Sequence, residues 1–81
     1  MESSGRPGRP ASLAEAPVGF RGTIRDVAGD AGTCLALLEL GFTPGQRVVL
    51  VAVAPFGDPV AVSLRGTVIA LRQGEARCVR L

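Results

Sequence analysis

Polar and apolar positions alternate from Gly19 to Val27, in GFRGTIRDV, with Phe20, Gly22 and Ile24 on one face and Arg21, Thr23 and Arg25 on the other. A period of two predicts a half-buried strand. GDAG then reads as a turn. The spacing changes in TCLALLEL, where leucines at 35, 37, 38 and 40 suit a helix over residues 32–40, capped by Asp30 or Thr33. Gly41 stands where a left-handed residue ends a helix, and Phe42 follows where it can fold back on the last turn. TPGQ places Pro44 and Gly45 at the central positions of a type II turn.

QRVVLVAVA is apolar on both faces and predicts a strand covered on both sides. PFGDP, with Gly57, Asp58 and Pro59, breaks it into a hairpin loop. VAVSLRG alternates again, Val60, Val62 and Leu64 against Ala61, Ser63 and Arg65. TVIALR is a fourth strand with Ile69 and Leu71 inward. QGEA is a single turn, and RCVRL a last strand with Val79 and Leu81 inward and Cys78 and Arg80 outward. Five short strands and one helix predict a mainly β fold, a small and strongly bent antiparallel sheet. At this length a partly open five-stranded barrel leaves the fewest exposed edges, with the α-helix inserted after the first strand to close one end or side.

Composition changes this picture little. The 81 residues fit one domain, and 47% hydrophobic content is too high for a disordered chain. Residues 1–12 are the exception. Rich in Gly, Pro, Ser and Arg, they predict a mobile tail ahead of a domain over 13–81. Within the tail, GRPGRP resembles the short arms that enter the DNA minor groove, which opens a DNA-associated reading. The net charge of +2 is spread over a mixed surface, so nucleic acid is not an expected partner of the domain. The N-terminus has no apolar secretory region and no run is long enough to span a bilayer, which predicts a cytoplasmic protein.

Candidate chemistry is sparse. With no His, Lys or Tyr, an enzyme would have few acids, bases or nucleophiles to use. Ser63 and Cys78 lack a base nearby in sequence. Asp30, Asp58 and Glu75 fit a cap, a hairpin and a helical first turn better than a carboxylate cluster, which Asp26 would complete. Cys34 and Cys78 show no paired metal-ligand spacing and read as free thiols. No catalytic residue, metal site or cofactor is expected. Peptide capture in an aromatic groove is also disfavoured, because the aromatic residues are Phe20, Phe42 and Phe56 alone.

Taken together, LGFTPGQRV, APFGDPVAV and GTVIALRQGEARCVRL resemble the FeoA family, the ferrous iron transport protein A domain, and GFRGTIRDV fits its first strand. The resemblance runs from about Leu13 to Leu81. It implies an SH3-like barrel in the bacterial cytoplasm, acting beside the membrane transporter FeoB and its cytosolic GTPase domain, with the membrane reached only through that transporter. The other readings are a generic SH3-like adaptor or oligomerising module unrelated to iron, and the DNA-associated module. Partner contact is expected from the apolar side chains the barrel least needs. At about 100° per residue, Cys34, Leu37 and Leu38 share one helix face. Leu35 and Leu40 fall on its flanks, either buried by the barrel or exposed to a partner. With Phe56 at the hairpin tip, they are the candidate anchors.

Overall fold

The computed structural model describes residues 10–81. After a single 3-10 turn, Leu13–Glu15, the elements are β1 (Arg21–Thr23), β2 (Asp26–Val27), α1 (Ala31–Leu40), β3 (Arg47–Val53), β4 (Val60–Leu64), β5 (Thr67–Leu71), α2 (Gln73–Cys78) and β6 (Val79–Arg80). The strands form a four-stranded antiparallel sheet, ordered β1-β3-β4-β5, and a two-stranded sheet, β2-β6.

The expected first strand is present but broken at Ile24 and Arg25. The Ile24 N–H donates to the Gln46 carbonyl beside β3, whereas the Arg25 N–H donates to the Arg80 carbonyl on β6. The chain thus passes from one sheet to the other, with Ile24 buried at the bend. Counted as one bent strand, β1 and β2 restore the expected five. The bend joins the two sheets around one core, of which Phe42, Leu13, Ile24, Leu37, Leu50 and Leu71 are the largest members.

Helix α1 begins where expected. The Asp30 carboxylate accepts from the Thr33 N–H at 3.0 Å and the Thr33 hydroxyl at 3.2 Å. It ends at Gly41, whose φ of 111° is left-handed, and the Phe42 N–H reaches the Leu37 carbonyl at 3.0 Å. The turn after it has the type II signature: Gly45 at φ 89°, closed by Gln46 N–H to the Thr43 carbonyl at 3.0 Å.

Three expectations need correction. Strand β3 is not covered on both sides. Val48 and Leu50 are buried, but Val51, Ala52 and Val53 are exposed, and a bulge between Leu50 and Ala52 shifts the register against β4. A chain this short has too little material to cover both faces of a sheet. The turn expected over QGEA is longer: α2 continues through Arg77 and Cys78, and the last strand keeps only Val79 and Arg80. Its N-terminus is held by the Glu75 carboxylate, which accepts from the Arg72 N–H at 2.8 Å. Cys78 consequently packs partly buried against the core instead of pointing outward.

The expected tail falls, for residues 1–9, outside the described residues. Its last three residues lie on the domain. Pro10 and Ser12 are buried, Ser12 bridges to Arg80, and the Leu81 N–H donates to the Ala11 carbonyl at 3.0 Å.

Candidate functional site

The apolar arc of α1 is wider than the core accepts. Leu37 alone is fully buried, Cys34 is half-buried, and Leu38 joins Leu35 and Leu40 in being exposed. Burial of the whole arc is thus excluded, and both of its flanks are exposed. Leu35 is 58% and Leu40 52% exposed. Leu38, expected on the inner face with Leu37, is the exposed residue that pattern reading missed. The 100° step does place it next to Leu35, which could have flagged it.

Phe56 is 98% exposed at the tip of the β3–β4 loop. The loop below it is firmly held. Ala54 and Pro59 pair across its base, the Gly57 N–H donates back to the Ala54 carbonyl at 2.7 Å, and Gly57 takes a φ of 86°. Asp58 accepts from the Gln73 N–H at 3.0 Å, and the Gln73 side chain donates to the Gly57 carbonyl. The loop is thereby tied to the start of α2, and between them lies an open cleft of about 380 Å³ lined by Asp58, Pro59, Ala70, Arg72 and Glu75.

These exposed side chains do not form one patch. An added Cβ on Gly41 would lie 3.2 Å from Leu64, so the end of α1 sits against the far end of β4. Phe56 lies just ahead of Val60, at the near end. Five residues of strand span about 13 Å. Leu40 and Phe56 therefore flank opposite ends of β4 and would meet different parts of a partner.

Two of the acidic groups serve the fold directly. The Arg80 guanidinium grips Asp26 in a two-pronged ion pair, 2.6 and 2.9 Å, across the β2-β6 sheet. This hydrogen bond holds the Asp26 carboxyl below its usual range, against a smaller opposing effect of desolvation. The bonds from Thr33 do the same for Asp30. A carboxylate held low in the folded state adds stability above its unfolded pKa, and that stability is lost as pH falls through the folded one. The unfolding midpoint is therefore expected to stay level from neutral pH down to the usual value of 3.8 for these groups and to fall below it. Urea unfolding against pH checks this, and Asp26→Asn should flatten the acid limb. Among the described residues no group of three or more Cys, Asp or Glu side chains is arranged to hold a metal ion. No described helix is long and apolar enough to cross a membrane.

The FeoA domain model matches residues 11–81. The chain belongs to the FeoA family. FeoA from Stenotrophomonas maltophilia, solved in complex with zinc, is 32% identical, with 86% of this chain and 87% of that one covered at a TM-score of 0.75. That protein is described as a prokaryotic SH3 domain protein and a candidate activating factor of bacterial ferrous iron transport. FeoA from Chlorobium tepidum is 29% identical at a TM-score of 0.76, and this chain spans 65% of its length. A manganese-dependent transcriptional repressor, 21% identical at a TM-score of 0.76, shares the fold over 44% of its own chain. No curated protein matches the chain. This FeoA-family domain is therefore a small SH3-like module of a family associated with ferrous iron transport.

Proposed function

We propose that this FeoA-family protein is a cytoplasmic accessory factor of ferrous iron uptake that docks on the transporter FeoB, at its cytosolic GTPase domain. The observation that carries the reading is the exposure of Leu35, Leu40 and Phe56 on a domain whose core is already complete without them. An aromatic side chain on a braced loop gives up little conformational freedom on binding, which suits an anchor. The helix flank supplies the second contact, with Leu38 beside it.

The test separates binding from folding. In Leu35→Ala, Leu40→Ala and Phe56→Ala, binding to the isolated GTPase domain, with and without nucleotide, should weaken by about 2 kcal/mol at a true anchor, roughly 30-fold. Urea midpoints should stay near wild type, because surface truncations cost about 0.5 kcal/mol or less. Unchanged binding in all three variants would move the contact elsewhere on the domain.

A further inference from the structure

Strand β5 is the last strand of the four-stranded sheet, and its outer edge carries no further strand. It is joined to β4 by a two-residue turn, Arg65 at φ 53° and Gly66 at φ 85°, which closes on the pair Leu64–Thr67. Both central residues in the left-handed region make this a type I′ hairpin. Hydrogen-bonded and non-bonded pairs alternate from there. Ile69 and Leu71 exchange bonds with Val62 and Val60, while Val68 and Ala70 turn their N–H and C=O groups outward. Among the described residues those groups meet no backbone partner. Both residues are exposed, Val68 at 60%. Proteins usually blunt such an edge with a charge, a proline or a bulge. TVIAL has no charge or proline, and its ladder with β4 is regular.

The spacing of the two outward residues makes this edge complementary to itself. In an antiparallel pair turned about a two-fold axis through Ile69, Val68 of each copy faces Ala70 of the other. Each of these two pairs exchanges two backbone hydrogen bonds, so every outward N–H and C=O group of Val68 and Ala70 is used. The larger valine meets the smaller alanine both times. On the outer face of one copy lie the cross-strand rows Val49–Ser63–Val68 and Ala52–Ala61–Ala70. The two-fold axis joins the first row of one copy end to end with the second row of the other.

The same register brings unlike charges together. Arg72 of one copy stands opposite Gly66 of the other, which puts the exposed Arg65 of that turn at the cleft between the β3–β4 loop and α2. The cleft holds two carboxylates, Asp58 and Glu75, against one guanidinium, Arg72. Each carboxylate gives one oxygen to a backbone N–H, Asp58 to Gln73 at 3.0 Å and Glu75 to Arg72 at 2.8 Å, and keeps its charge and its second oxygen. One more guanidinium balances the cleft, and the symmetry supplies it at both ends of the interface. We propose that this protein self-associates through β5, two copies pairing antiparallel about Ile69 into one eight-stranded sheet, with Arg65 of each in the Asp58–Glu75 cleft of the other. The ladder is short, so the dimer is weak and reversible. The cleft borders the loop that carries Phe56, so the test uses the full chain alone, and its outcome does not depend on the transporter.

Sedimentation equilibrium and NMR on the full chain provide the test. The weight-average mass should rise from one chain towards two between about 10 µM and about 1 mM protein, with amide shifts that grow at Val68 and Ala70. In a mixture of isotope-labelled and unlabelled copies, the Ile69 Hα should contact the Ile69 Hα of the other copy, because opposed non-bonded residues bring their Cα atoms to about 4.5 Å. Val68→Pro removes an outward donor that β4 does not use, so it should weaken association at least tenfold and leave the urea midpoint of dilute protein in place. If that variant unfolds, Arg65→Glu on the exposed turn still decides, with the same tenfold loss expected. A single-chain mass up to about 1 mM would overturn the proposal and leave the edge to a strand of another protein. Contacts between copies centred on Leu35, Leu38 or Phe56 would also overturn it, as would unchanged association of Arg65→Glu.

Discussion

Truncating Phe42 to alanine is expected to lower the unfolding free energy by about 3–5 kcal/mol, the usual cost of removing a buried phenylalanine. Phe42 is fully buried, and its N–H closes the end of α1 on the Leu37 carbonyl. Its ring is the largest buried side chain, packed in the same core as Leu37, Leu50 and Leu64. A domain of this size has a total stability of roughly 4–12 kcal/mol, at about 0.05–0.15 per residue. At the low end of that range the variant is close to unfolded at room temperature. With a urea slope near 1 kcal/mol/M, the midpoint should fall by about 3–5 M. A fall below about 1 M would mean that the ring does not carry the core.

Gly41→Val should cost nearly as much for a different reason. At φ 111° a β-branched residue is strained, at about 1–3 kcal/mol. Its Cβ would in addition press on Leu64 at 3.2 Å, inside ordinary contact distance. The order expected from urea unfolding is Gly41→Asn mildest, Gly41→Ala next and Gly41→Val worst, because asparagine tolerates positive φ better than the others. Equal midpoints for Asn and Val would place the damage outside the backbone. Both substitutions leave Leu35, Leu40 and Phe56 in place, so folded protein that survives should still bind.

The family was legible in LGFTPGQRV, APFGDPVAV and GTVIALRQGEARCVRL, which resemble the FeoA domain and imply its SH3-like barrel, and the main elements in local signals: the Asp30 cap, the Gly41 stop, the Pro44–Gly45 turn and the period of two in β4. Each of these depends on a few neighbouring residues, and local chemistry decides it wherever the chain is placed. The candidate anchors were only half legible. A helical wheel finds the wide apolar arc of α1 but does not tell which leucine meets the core. Leu38 looked buried beside Leu37, yet it faces solvent.

By itself the sequence determined the order of the main elements, the turns between them, both ends of α1 and the absence of a His-based site. Where the first strand breaks was set by long-range packing, because Ile24 and Arg25 bond to partners about 20 and 55 residues away in the chain. It also decided that the outer face of β3 stays open, that α2 takes up Cys78, and that Leu40 and Phe56 lie at opposite ends of β4. Those outcomes depend on which surfaces the chain has enough material to cover. Periodicity along a segment records that the segment is apolar, and only the packed fold assigns each apolar face to the core or to a partner.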